Sequence, residues 1–584
     1  MFRFKYGAAR AGALAAMLGT GGTALAQNPY FPAQPVPVST VPVVPNAQLG
    51  VPVALPAQAG APGALPEQPG TPATNPGTPA PTPTPQECAP AKPAPQTWHG
   101  YPMRTLPLAQ PGAFPVFPTG PGYYTLLDQI RDTPSQGPSR YPSKISTSPL
   151  PFFDTNWTYL DSIPFEDRDW SEKLKRIPVG EHWLFSTGGE IRERFTGVSN
   201  VLLSGKTGES IQTRNRIYGD LWYEDIFRIY AEGYVAGTSG TTAPAQPRDI
   251  NTVDFLNLFV DLKVFSLGEN PIYARIGRQE LSYGSQRLVS SNDYANNRPR
   301  YDGAKLFYRS SDWDVDVFAV RPAIQQPEEL AHDDVNRFFS GVWATYKPKQ
   351  ATYLDFYYLD LNNSTLGVAT GRNGVKGDYN VSTVGSRYTG RGDNGFLWDF
   401  EGAFQFGQWA NQSIIAGMAD VYLGWNFKDC VLNPTVWAGY DYASGGSNRG
   451  GTHSTFNQLF NFGHYYSALQ DEFGRQNMQD FSLQTYIYPT KWWLTGLQVH
   501  YVQLASSKDA LYNYAGAVER AANPSGSAGK DVGTFLTPCS NFHLTNRQDI
   551  FVTYTHFFPG TYITRTPGAK TPSDGVYVQY TLKW

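Results

Sequence analysis

The sequence predicts an all-β chain, a transmembrane antiparallel β-barrel of about 18 strands preceded by a disordered Pro-rich segment. Three observations predict it. Short segments after Asp154 alternate apolar and polar residues, and the connections between them alternate between short and long. The last segment, GVYVQYTLKW, stays apolar on one parity up to Trp584, with no polar tail to cover it. Composition agrees. Charged residues make up 16% of 584 and aromatics 14%, whereas charged residues average about a quarter of ordinary globular chains. No run of about 20 apolar residues lies beyond the N-terminus, which excludes helical spans. A net charge of −3 offers no electrostatic case for nucleic acid.

Taken in order, MFRFKYGAAR supplies positive charge, AGALAAMLG a short apolar stretch, and TALA before Gln27 a small-residue cleavage site. Residues 1–26 therefore read as a signal peptide. No Cys follows Ala26, which argues against a lipid anchor. Residues 27–150 are dominated by Pro, Ala, Gly, Thr and Gln, as in APGALPEQPGTPATNPGTPAPTPTPQ. Such a stretch buries no core and favours extended, solvated backbone. It reads as a periplasmic linker suited to a cell-wall or periplasmic partner. Within it, YYTLLDQIRD (Tyr123–Asp132) is expected to form a short helix.

Residues 151–584 read as the barrel domain. In a strand, side chains two apart share a face. NLFVDLKVF puts Leu258, Val260, Leu262 and Val264 opposite Asn257, Asp261 and Lys263. GFLWDFEGAFQF puts Phe396, Trp398, Phe400, Phe404 and Phe406 opposite Asp399, Glu401 and Gln405. DFSLQTYIY and WLTGLQVHYVQ behave the same way. Short connections (YEDI, RSSDW, KPKQ, GRGDNG, FKDC, YPTK) alternate with long ones at 198–210, 238–253, 280–301, 321–335, 360–380, 441–475 and 504–528. Short periplasmic turns and long outer loops are the hairpin pattern of an outer-membrane barrel. An even strand count puts both ends in the periplasm. The last strand then closes on the first and its outward residues need only lipid. Trp584 sits at the inner aromatic girdle and ends a strand of the kind the barrel-assembly machinery engages. The expected location is the bacterial outer membrane, with its lipid as a partner.

Three Cys (Cys88, Cys430, Cys539) suit neither a disulfide framework nor a metal site, although a Cys430–Cys539 pair stays open. His500 and His556 lie in strands without a Ser or Cys partner motif, and His332, His453 and His464 fall in long loops where solvation is expected. No GxSxG, HExxH, P-loop or dinucleotide motif occurs, so no enzyme and no cofactor is expected.

Two stretches carry a family resemblance. WSEKLKRIPVGEHWLFSTGGEIRERF (Trp170–Phe195) and IYARIGRQELSYGSQRLVSSNDYANNRPRYDGAKLFY (Ile272–Tyr308) resemble blocks of the alginate export family, and DIFVTYTHFFPGTYI (Asp549–Ile563) is similar to its penultimate strand. The resemblance spans about Trp170 to Trp584. It implies a large barrel that passes an anionic polysaccharide, or a related small anionic solute, through an Arg-rich lumen.

Parity independently marks which cations face inward. Arg192, Arg194, Arg214, Arg216, Arg228, Lys263, Arg275, Lys305 and Arg309 all fall opposite apolar neighbours. An Arg turned to lipid at mid-membrane costs about 2–4 kcal/mol. These groups form either a cationic ladder for carboxylates or one half of wall-bracing pairs with Glu190, Asp220, Glu232, Asp261, Asp314 and Asp316. The segment 280–301 carries Arg287, Arg298 and Arg300. It is either a constriction folded into the lumen or an outer surface loop. Alternation points Arg278 outward, which a bulge or a strand end at Gly277 would relieve. Two further readings stay open: a general or nutrient-uptake porin without polymer specificity, and a structural tether acting through the Pro-rich stretch.

Overall fold

The computed structural model describes residues 121–135, 151–240, 249–349, 351–446, 451–462, 466 and 473–584. The expected signal peptide, most of the Pro-rich stretch, Cys88 and His464 lie outside the described residues. Eighteen long strands run up and down: β1 (Trp183–Val198), β2 (Gly208–Tyr223), β3 (Phe227–Ser239), β4 (Asn251–Leu267), β5 (Asn270–Gln279), β6 (Tyr301–Arg309), β7 (Trp313–Ile324), β8 (Arg337–Lys349) and β9 (Thr352–Asn363). They continue as β10 (Tyr379–Arg391), β11 (Phe396–Trp409), β12 (Gln412–Asn426), β13 (Thr435–Ala443), β14 (Met478–Thr490), β15 (Trp493–Leu504), β16 (Asp531–Thr545), β17 (Gln548–Pro559) and β18 (Ser573–Lys583). Neighbours pair antiparallel throughout. β18 returns to β1, from Glu190↔Lys583 to Val198↔Gly575, so the sheet closes with no free edge.

The alternation read from the sequence is the alternation of the wall. Ile217, Leu262, Ile276, Val421, Leu483 and Val578 are exposed on the outside, while Arg216, Asp261, Arg275, Tyr422, Gln484 and Tyr577 are buried inside. A continuous apolar outer belt of this kind requires hydrocarbon around it. Periplasmic turns are tight, as at 224–226, 268–269, 310–312 and 491–492. The opposite end carries the long loops 280–300, 444–477, 505–530 and 560–572, with one exception, the two-residue turn 410–411 between β11 and β12.

Those long loops fold inward. Leu281, Tyr283, Leu288 and Val289 of 280–300, with Phe456, Phe460, Tyr562 and Ile563 of other loops, pack on Phe318, Phe339, Trp343, Leu359, Phe535 and Phe557 of the wall. The main hydrophobic core therefore fills the extracellular half of the lumen.

The periplasmic mouth is crossed by the segment that precedes β1. The expected helix forms at Leu126–Ile130, with Thr125 and Asp128 capping each other. It lies by the β14–β15 turn, where Trp492 donates to Gln129. Residues 151–176 form short 3₁₀ turns and act as a strap. Phe152 and Phe153 sit inside the lumen among Tyr218, Tyr230 and Phe259. Across the mouth, Arg547 at the β16–β17 turn donates to Ser171 at 2.6 Å and lies 5.3 Å from the Trp170 ring. Lys175 then ties the strap to the closure seam, donating to the Tyr218 hydroxyl at 2.9 Å and the Trp584 carbonyl at 3.1 Å.

Arg278 corrects one expectation. β5 does not end at Gly277 but runs to Gln279, and Gly277 pairs with Gly303 of β6, both at positive φ. Arg278 keeps its outward parity at the extracellular rim. There it pairs twice with Asp302, at 2.8 Å each, and with Asp254 at 3.1 Å. The carboxylates, rather than a change of parity, relieve the charge.

Candidate functional site

The inward cations of β1–β6 are buried and nearly all engaged. Arg214 meets Glu190 at 2.6 Å and Arg216 meets Glu232 at 2.7 Å. Arg228 forks onto Asp220 at 2.7 and 2.9 Å, and Arg275 onto Asp261 at 2.8 and 2.9 Å. Lys305 lies 3.3 Å from Asp316, which also pairs with Arg309, and Asp314 takes Lys347 at 2.8 Å. Lys263 lies low on the wall, half-exposed, paired with Asp225 of the β2–β3 turn at 2.7 Å. Charges in this spacing brace the wall: each guanidinium cancels a neighbouring carboxylate that would otherwise be costly to bury.

Arg192 and Arg194 are different. Among the described residues neither has a carboxylate within ion-pair distance. Arg192 donates to the carbonyls of Asp293 (2.9 Å) and Ala295 (3.3 Å) and to the Asn296 side chain (3.2 Å). Arg194 donates to the Tyr294 carbonyl at 3.1 Å, with the Tyr294 ring centroid 3.3 Å from its guanidinium carbon.

Those acceptors belong to 280–300, which crosses the lumen as a bar. One end rests on the basic wall, where the Asp293 carboxylate meets Arg214 at 3.0 Å and Arg298 at 2.8 Å. Burial alone would raise the Asp293 carboxyl, but Lys583, Arg214 and Arg298 together hold it well below the usual range. The other end carries Arg287 to the far side of the cylinder, 2.7 Å from Asp399, 3.0 Å from Glu401 and 3.4 Å from Asp420. Arg298 and Arg300 do not reach that side. Arg298 pairs with Glu280 at 2.7 Å, and Arg300 with Asp254, so both fasten the root of the bar to its own wall.

The far wall is acidic, a feature that residue-by-residue reading of the sequence misses. Register places Arg387, Glu401, Asp420, Asp441 and Asp480 directly abreast on β10 to β14. Arg387 pairs with Asp399, and Arg475, from the loop 444–477, meets Asp420 at 2.6 Å and Asp441 at 3.5 Å. The signal was present in the sequence as inward parity on five consecutive strands. It needed the register to become a row. The lumen is thus bipolar, basic along β1–β6 and acidic along β10–β14, with loop-borne groups of opposite sign docked on each side.

The histidines divide. His500 pairs with Asp480 at 2.7 Å and His556 with Asp574 at 2.7 Å. His332 is exposed. His453 is not solvated as expected: its ring stacks on Trp409 at 4.5 Å, and burial pushes its pKa down to about 4. Cys430 and Cys539 are both free thiols, one exposed in a periplasmic turn and one buried. Among the described residues no group of His, Cys, Asp and Glu is placed to hold a metal ion.

The description "Alginate export" matches residues 184–576, nearly the whole barrel. No curated protein matches the sequence. Among solved structures, OccK8 (OprE) of Pseudomonas aeruginosa is similar at 11% identity over 68% of this chain and 98% of its own, with a TM-score of 0.46. OccD3 (OpdP) of the same organism gives 10%, 68%, 91% and 0.47, and OccAB4 of Acinetobacter baumannii gives 11%, 68%, 98% and 0.44. These likenesses are too distant to carry a function.

Proposed function

The chain belongs to the alginate export family and is an outer-membrane channel of the bacterial cell, and we propose that its lumen passes an anionic polysaccharide of the alginate type or smaller solutes of the same chemistry. The observation that carries this reading is the state of Arg192 and Arg194. They are cations held by carbonyl and amide oxygens and the Tyr294 ring of the bar, and for Arg194 also by the Gln212 side-chain oxygen of β2, rather than by carboxylates. A charge-assisted bond to a carboxylate is stronger than one to a neutral carbonyl, so a uronate has something to gain there that a neutral sugar does not. The path for such a solute runs along β1–β6, where Arg192, Arg194, Arg214, Arg216, Arg228 and Arg275 offset its desolvation. The Pro-rich stretch is the periplasmic spacer of this channel, behind a leader at residues 1–26, and the strand ending at Trp584 is what the assembly machinery engages.

Planar-bilayer recording tests the proposal. The expected result is anion-over-cation selectivity in a salt gradient and block by oligouronates but not by neutral oligosaccharides of the same length. Equal permeability with no uronate block would refute it. The acidic row of Glu401, Asp420, Asp441 and Asp480 favours a second reading, a general porin with opposed charges across its lumen, for which that null result is the expected one.

A further inference from the structure

The strap places two phenyl rings on the arginines of the proposed path. The guanidinium carbon of Arg216 lies 4.1 Å from the Phe152 ring centroid, and that of Arg275 lies 4.4 Å from the Phe153 centroid. Around them stand aromatic rings of the wall. Tyr230 stacks on Phe259 at 5.2 Å and on Tyr218 at 5.5 Å, and Phe153 meets both Tyr230 and Phe259 edge-on. Arg228 also donates to the Phe153 carbonyl at 3.1 Å. The wall here offers flat apolar faces, cations, and one donor, Arg216 Nη2, with no hydrogen-bond partner among the described residues.

A pyranose bearing a carboxylate presents the same pair of features: an apolar ring face for the aromatic rings and an anion for the guanidinium groups. The two phenyl rings match only the first. Cation–π contacts are individually weak, whereas a carboxylate–guanidinium bond is charge-assisted. We infer that Phe152–Phe153 is a built-in competitor for a lumen subsite made by Arg216, Arg275, Tyr230 and Phe259, displaced by the sugar-acid ring of a passing solute. The inference rests on the anionic reading above and adds to it an occupant and a place. The strap is well suited to leave. Its Phe152–Phe153 end contributes no strand to the sheet, the pairing with β1 beginning only at 177–179, and the described segment 121–135 lies by the periplasmic β14–β15 turn.

The test compares the full chain with F152A/F153A in planar bilayers, using trigalacturonate as the probe and heat-modifiable migration to show that each barrel is folded. The variant is expected to conduct more and to be half-blocked at about tenfold lower trigalacturonate, the shift that follows when a competing occupant is removed. Block of both proteins at the same concentration overturns the inference and leaves the anionic reading standing. Block of neither overturns both. A second measurement does not depend on the double variant folding. In a chain with C88S, C430S and C539S, Phe153→Cys is expected to react with a bulky charged maleimide faster as trigalacturonate is added. A rate indifferent to the trisaccharide overturns the inference.

Discussion

Arg287 shows what a single residue does in this lumen. It stands among Asp399, Glu401, Asp420 and Asp441, all buried. Removing one partner from a buried ionic cluster costs about 3–5 kcal/mol, because the remaining charges lose their compensation. Arg287→Ala should therefore lower unfolding stability in guanidinium by an amount of that order and release the bar, seen as noisier and larger single-channel currents. Glu519, in the loop 505–530, makes a pH prediction. Burial pushes its carboxyl up to about 7, against the opposing Asn513 hydrogen bond and Arg520 charge. The folded loop therefore binds a proton between the ordinary Glu range and about pH 7 that the opened loop does not. The stabilisation is present in acid and lost as pH rises through 7. Hydrogen-exchange protection in 505–530, taken relative to the intrinsic base-catalysed rate at each pH, should be lower at pH 8 than at pH 5.5 in the native chain, and Glu519→Gln should remove that difference in protection.

At the scale of elements, β5 and β6 meet through Gly277 and Gly303, with φ of +128° and +156°. A Cβ on Gly277 would lie 2.3 Å from the Leu258 carbonyl oxygen. Gly277→Ala should cost about 2 kcal/mol through backbone strain, with the carbonyl clash in addition, and reduce the yield of heat-modifiable barrel. Gly268→Ala, also at positive φ (+63°) but with open space around it, should cost only the left-handed backbone, about 1 kcal/mol. The strands themselves were legible in the sequence because their period is two and one face needs lipid, so residues such as Leu258 and Asp261 reveal their sides without any partner. Cross-strand neighbours were not legible: Glu401, Asp420, Asp441 and Asp480 are separated by long and short connections whose lengths do not fix register. The bar was visible only as a segment too long for a turn. Its destination depends on Arg287 finding carboxylates on β11 to β13, a contact with no local sequence signature. His453 escaped for the same reason, since Trp409, on which it stacks, is distant in the chain.

Over the whole molecule the outer surface is nearly uniform apolar, and Glu193 interrupts it. It is exposed at outward parity between Ile191 and Phe195, opposite Thr213 and Tyr580. Carboxylates cost less than Arg or Lys on a lipid face but still oppose insertion. Glu193→Leu should raise barrel stability in lipid vesicles by about 1 kcal/mol, measured by guanidinium titration; a loss instead would mean that a protein neighbour contacts this spot. Closure of the whole cylinder depends on the β1–β18 pairing, and Lys175 of the strap bonds the Trp584 carbonyl beside it. A newly inserted chain therefore faces an ordering problem. While the ring is still an open ribbon the two phenylalanines can swing in sideways; once it has zipped shut they can enter only end-on, through the inner opening. The final zippering step and the seating of this internal stopper are thus coupled in time, and the pore can be born corked rather than leaking.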